Sequence, residues 1–299
     1  VAAATPDVRV ADCEYNATEI IRMIHEMEEQ GAKVMVFPEL CITAYTCGDL
    51  FWQENLLEEA KVQLVRIAEE TKEVDALIFV GLPLEYNGKL YNVAAGLNHG
   101  EILGFVPKTY LPNYNEFYEA RYFTSGEHVD GTVHIDREAY KERYDSDFDD
   151  VEFDIEMASF DEFEELEEID DEDFDDEDFD DEDFEDEDFE DEDFEDEDFD
   201  DLDFEDEDFE DELYEEDIWI SPNTIFTCED MPKLQIAAEI CEDLWVPNPP
   251  SVAHAFHGAN LIVNLSASDE VVGKDSYRKS LVSAQSARLL CGYIYATAG

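Results

Sequence analysis

Apolar residues recur at helical spacing over residues 17–30, where Ile20, Ile21, Ile24 and Met27 share one face and Asn16 stands at the expected N-cap. The short apolar run 33–37 predicts a core strand, and Leu56, Leu57, Ala60, Leu64 and Ile67 mark one face of a second helix over about 55–72. A strand over 76–80 follows. Asn87-Gly88 then predicts a tight hairpin between apolar runs, and His99-Gly100 a second turn leading into a strand over 101–106. Beyond residue 220 the pattern predicts strands over 234–240 and 261–265 and a short helix capped by Ser251 and running to Phe256. It also predicts a helix near 276–290 and a last strand over 293–297. Helices alternating with apolar strands imply a layered α/β architecture, and the hairpins make its sheets mixed.

The segment between Asp145 and Asp217 breaks this pattern, with 50 acidic residues and neither Lys nor Arg. It carries most of the chain's formal charge of -66. Phe174, Phe179, Phe184, Phe189, Phe194, Phe199, Phe204 and Phe209 recur in it every five residues. Five residues overshoot one helical revolution by about 140 degrees, and an odd period alternates faces on a strand. Neither regular element therefore gathers the rings into a stripe, and dense like charge opposes compaction. The expected organisation is a first folded part over 1–144, an acidic insert over 145–217 that is disordered, and a second folded part over 218–299. The insert has no glycine for the sharp turn of an EF-hand loop.

Outside that segment the composition is that of an ordinary globular protein. No run approaches the roughly 18 apolar residues of a membrane span, and no GxGxxG or P-loop motif is present. The six cysteines show no CxxC pair or metal-ligand spacing, which leads us to expect reduced thiols, a cytoplasmic location and no metal site. The start at Val1 and the strand-like end lead us to expect a fragment of a longer protein.

Three ionisable residues follow apolar strands at equivalent places. Glu39 follows 33–37 and Pro38, Lys108 follows 101–106 and Pro107, and Cys241 follows 234–240. Each has an ordinary alternative: a loop-anchoring carboxylate, a surface lysine, and a small buried hydrophobe. Together they make a base, an oxyanion partner and a nucleophile for attack on a carboxamide carbonyl. A Cys–His pairing drawing on His25, His99, His128, His134, His254 or His257 is the competing arrangement. His254 and His257 have in addition a helical spacing open to a metal.

Val36-Phe-Pro-Glu39-Leu, Val106-Pro-Lys108-Thr-Tyr-Leu-Pro and Glu239-Ile-Cys241-Glu-Asp-Leu-Trp resemble the three signature segments of the nitrilase, or carbon–nitrogen hydrolase, superfamily. Leu111-Pro-Asn-Tyr-Asn-Glu-Phe-Tyr-Glu119 and the stretch from Asn264 to Lys274 resemble its glutamine amidotransferase branch, that of bacterial glutamine-dependent NAD+ synthetases. The resemblance implies an αββα sandwich with Glu39 as base, Lys108 at the oxyanion, Cys241 as nucleophile and Glu116 as a second glutamate positioning the lysine. It places Tyr114, Glu242, Trp245, Ser268 and Lys274 around the glutamine substrate.

It implies no cofactor for the amidase part, and ammonia delivery to a C-terminal synthetase domain that uses ATP, Mg2+ and deamido-NAD+. That domain is expected to be absent here, and the family also implies a homo-oligomer; no nucleic-acid or membrane partner is expected. The acidic run stands where the family has a strand, so an unpaired sheet edge is expected. Two rival readings are a stand-alone amidase or carbamoylase acting on another small amide, and an acidic module that binds basic partners.

Overall fold

The computed structural model describes residues 1–144 and 215–298, which belong to one compact unit. Most of the expected insert and all eight repeated phenylalanines lie outside the described residues. Helix α1 (Cys13–Glu29) and helix α2 (Glu54–Glu70) bury Ala17, Ile20, Ile24, Leu64 and Ile67 in one cluster with strand residues. Those strands are β1 (Ala2–Ala3), β2 (Val34–Val36), β3 (Leu77–Tyr86), β4 (Lys89–Asn98), β5 (Glu101–Pro107), β6 (Gly131–Asp136) and β7 (Glu215–Ile220), in the spatial order β1-β2-β3-β4-β5-β7-β6. A second sheet of order β11-β10-β9-β8 is built from β8 (Ile225–Thr227), β9 (Gln235–Ile240), β10 (Leu261–Ser266) and β11 (Gly292–Thr297). Helix α3 (Glu138–Tyr144) packs on α2, while α4 (Pro250–Phe256) lies against β9 and α5 (Lys274–Leu289) against β11.

Strand periodicity explains the layers, because successive side chains face opposite sides of a sheet. Met35, Ile78 and Val80 face the helices. Their neighbours Val34, Val36 and Phe79 share a cluster between the sheets with Ile236, Ala238, Ile240, Val263 and Leu265. On the outer face of the second sheet, Ala237 and Ile262 pack with Ala255, Ala259 and Leu289. The result is helices, sheet, sheet, helices. Phe79 and Phe226 meet edge to face across the middle with centroids 5.1 Å apart. Gly96 leaves the room: a Cβ there would stand 2.6 Å from the Phe226 ring.

The structure corrects several expectations. Asp12, not Asn16, caps α1, its carboxylate accepting from the Tyr15 N–H at 3.2 Å. Asn16 is fully buried one turn later, donating to the carbonyls of Arg9 and Ile42 at 2.8 and 2.9 Å, because two loop backbones there need a polar partner. Ser251 lies inside α4, and Pro249 holds the cap position. The feared sheet edge is filled: β7 pairs with β5 in parallel and with β6 in antiparallel fashion. Residues 215–217, the end of the acidic run, therefore belong to the sheet rather than to an insert. The charge of Glu216 is met locally by Arg137 at 2.7 Å, which also binds Glu69 at 2.6 Å.

Candidate active site

The three ionisable residues singled out in the sequence lie at strand ends of the two sheets. Strand β2 stops at Val36, and the Phe37 N–H donates to Phe79 O at 2.9 Å, which starts the loop bearing Glu39. That loop lies directly on β3: a Cβ on Gly81 would meet Leu40 N at 2.4 Å and Pro38 O at 2.7 Å. Leu40 has a positive φ of 52°. The Glu39 carboxylate, 1% exposed, accepts from Lys108 Nζ at 2.5 Å and Asn92 Nδ2 at 2.7 Å on Oε1, and from the Ala267 N–H at 3.0 Å on Oε2. Three other segments of chain thus converge on the Glu39 carboxylate.

Lys108 follows β5, and its own N–H donates to Asn92 O at 2.8 Å. Its ammonium is completely buried and also donates to Glu119 Oε1 at 2.6 Å. The second glutamate on the lysine is therefore Glu119, and not Glu116 as the resemblance implied. Glu116 is exposed and lines a cavity of about 170 Å3 together with Tyr45, Tyr118 and Glu119. The physical reason is local. The Glu119 N–H donates to Pro112 O and its carboxylate accepts from Tyr45 Oη at 2.6 Å, so Glu119 is the buried first residue of a 3₁₀ turn while Glu116 stays on the loop. Burial pushes the Glu119 carboxyl up to about 7; the Lys108 charge opposes this and the Glu39 charge adds to it.

Cys241 opens a 3₁₀ turn directly after β9 and has φ of 44°, a left-handed conformation that costs a non-glycine residue energy. Its thiol is buried. Burial pushes its pKa up, Glu39 adds to this, and the Lys108 ammonium and a Ser266 hydrogen bond pull it down. A thiol so placed is held in its protonated form, and of the two buried carboxylates whose charge acts on it Glu39 has the larger effect and Glu119 the smaller.

Around the site, Tyr114 Oη donates to Glu242 Oε2 at 2.9 Å. Burial raises the pKa of Glu242, and the Tyr114 hydrogen bond and the Lys108 charge lower it. Lys274 is the first residue of α5; its ammonium lies 5.7 Å from the Trp245 ring and 5.8 Å from Phe117, and it pairs with Asp269. Ser268 is buried beside Arg278, one residue beyond the Ala267 N–H that binds Glu39. The structure thus joins Tyr114 to Glu242 and Trp245 to Lys274, with Phe117, Asp269 and Tyr277 as neighbours that the sequence reading missed. Asn92 was also missed; a lone amide inside the apolar strand β4 was the available signal.

The histidines take other places. His254 Nε2 donates to Pro222 O at 2.9 Å and His257 Nδ1 to Ala253 O at 2.8 Å. Among the described residues, no group of three or more His, Cys, Asp or Glu is arranged to hold a metal ion. No helix among them is long and apolar enough to cross a membrane.

Residues 1–138 match the carbon-nitrogen hydrolase family model. The glutamine-dependent NAD(+) synthetase of Mycobacterium bovis is 28% identical over 299 residues, all of this chain and 32% of the relative. That of Aquifex aeolicus is 39% identical over 118 residues, 40% of this chain and 20% of the relative. The chain thus spans about a third of the length of the longest-matching curated relatives. A crystal structure of a glutamine-dependent NAD(+) synthetase from Cytophaga hutchinsonii superposes with a TM-score of 0.63 at 23% identity, covering 99% of this chain and 35% of the other. An amidase from Nesterenkonia sp. gives 0.57 at 15% identity, covering 99% and 74%. These likenesses support the layered fold. The family match covers the first 138 residues, just under half of this chain.

Proposed function

We propose that this chain hydrolyses the side-chain amide of glutamine, with Cys241 as nucleophile, Glu39 as base and Lys108 at the oxyanion. The observation that carries the reading is the completely buried Glu39–Lys108 pair, coupled electrostatically to a thiol on a strained turn. As the Sγ–carbon bond forms, Glu39 takes the thiol proton, and the oxyanion gains hydrogen bonds from Lys108 and a backbone N–H beyond Cys241. The carbon–nitrogen bond then breaks, and ammonia leaves with the proton from Glu39. A water attacks the resulting thioester, Glu39 takes its proton, and the thiol is restored as glutamate departs.

Glutamine is chosen because Glu242 with Tyr114 and Lys274 offer an anionic and a cationic anchor for an amino-acid end, and because the relatives are glutamine-dependent. In this reading the ammonia serves the amidation of deamido-NAD+ in the full-length protein. ATP and Mg2+ belong to that step, and no residue described here is assigned to them. Release of glutamate and ammonia from glutamine, measured for the chain and for Cys241→Ala, tests the proposal. We expect turnover in the first and none in the second. Equal release by both would sink the assignment of the nucleophile, and preference for an unrelated amide would sink the substrate.

A further inference from the structure

Asp243 stands two residues beyond the nucleophile and is 1% exposed. Its Oδ2 accepts from the Ile240 N–H at 2.9 Å, a bond that spans Cys241 and closes its turn. Its Oδ1 accepts from the N–H of Thr109 at 3.1 Å and of Tyr110 at 2.8 Å, the two residues that follow Lys108. One carboxylate therefore holds the main chain on both sides of the thiol and the main chain beyond the lysine, although the two loops leave different sheets. We propose that Asp243 is a positioning residue for amide hydrolysis, fixing the distance between the Cys241 thiol and the Lys108 ammonium. The inference rests on the roles assigned above to those two residues.

Two physical points support it. A positive φ at a non-glycine residue persists only where its surroundings over-determine it, and the Ile240–Asp243 bond is the contact that brackets Cys241. A buried carboxylate is also costly unless its hydrogen bonds are filled. Burial raises the Asp243 pKa, and the hydrogen bonds from the Ile240 and Tyr110 N–H groups lower it, as expected of a carboxylate held by main-chain donors. A cap for a short turn needs only one of those donors; accepting from the lysine loop as well is what a joint between the two loops requires.

The test is Asp243→Asn in the full chain. Asparagine keeps the volume but has one acceptor oxygen, so its amide N–H group must face either Ile240 or Tyr110; in the second case the oxygen keeps only a 3.4 Å contact to the Thr109 N–H, so the tie to one loop is lost or weakened. Circular dichroism melts give the folded fraction of each protein, and glutamine turnover is expressed per folded chain. Misplacing a catalytic group by about 1 Å costs about 10²-fold, so kcat per site should fall by that order while KM changes by less than about threefold. Unchanged kcat per site with only a lower Tm would reduce Asp243 to a cap and overturn the proposal. So would a loss that appears wholly in KM. If circular dichroism shows Asp243→Asn to be unfolded, Asp243→Ser carries the same test, since its hydroxyl oxygen also cannot serve both loops. Equal ammonia release by wild type and Cys241→Ala would instead bring down the assigned nucleophile, and this proposal with it.

Discussion

Replacing Glu119 by Gln tests how the buried charges around Lys108 balance. The ammonium lies 2.5 Å from Glu39 and 2.6 Å from Glu119, and none of the three side chains is more than 4% exposed. One cation cannot neutralise two carboxylates, and burial penalises the surplus charge. Burial is accordingly the largest influence on Glu119, whose pKa rises from 4.5 to about 7. The unfolded chain releases this proton near the ordinary carboxylate value, whereas the folded state keeps it until about pH 7. Between those two values the folded state binds one more proton, so stability falls as pH rises.

The contribution is fully present below about pH 4.5 and is lost through about pH 7, a change of at most about 3 kcal/mol. Gln has the shape of the neutral acid at every pH and removes this dependence. The stability of wild type relative to Glu119→Gln should therefore decline by up to about 3 kcal/mol between pH 4.5 and 8. At roughly 2–4 °C per kcal/mol for a domain of this size, the Tm difference should move by about 6–12 °C. Thermal melts of both proteins at pH 5, 6, 7 and 8 measure it. A difference that stays flat, or that grows in favour of wild type above pH 7, would mean that Lys108 keeps Glu119 ionised throughout and would refute the reasoning.

Gly81→Ala should lower kcat by about 10²-fold and stability by about 1–3 kcal/mol, because the new methyl meets main-chain atoms of Pro38 and Leu40 on either side of Glu39. Wild-type turnover in a folded Gly81→Ala protein would show that the Glu39 loop tolerates the shift. Tyr114→Phe removes the donor to Glu242 and should raise KM for glutamine about tenfold, the size of one hydrogen bond to a charged group. A change confined to kcat would contradict its placement at the amino-acid end of the substrate.

What could be read from the sequence follows from what repeats along it. Strands β2, β5, β9 and β10 are short apolar runs with clear edges, β3 runs on to Tyr86 beyond the expected 76–80, and Asn87-Gly88 makes the two-residue turn at which Tyr86 pairs with Lys89. The strand ends were therefore legible, and with them Glu39, Lys108 and Cys241. Strand β7 was not, although Ile218 and Ile220 are buried and Trp219 between them is half exposed. Three alternating residues are too few to stand out beside a long acidic run. The strand is held by its pairing with β5 and β6, and Arg137 offsets the Glu216 charge through ion pairs to Glu216 and Glu69 that arise only from the tertiary fold.

The partners of the three strand-end groups illustrate a sharper limit. Glu116 and Glu119 are three residues apart in one loop, and both follow the lysine at a distance that would let either return to it. The choice is made by the Glu119 N–H bond to Pro112 O and by Tyr45, neither of which is visible as spacing. Asn92 and Asp243 carry a signal of a different kind. Each is a polar side chain in a setting where burial without hydrogen bonds would cost about 1–3 kcal/mol or more, so the sequence already requires that each have partners. It does not say which. Asn92 binds Glu39 from β4, with β3 between it and the strand that leads to Glu39, and Asp243 binds a loop 133 and 134 residues away in sequence as well as its own turn. Strand periodicity thus locates the three strand-end groups, whereas the groups that hold them in place are identified by a polar atom's need for a partner and named only when the fold supplies it.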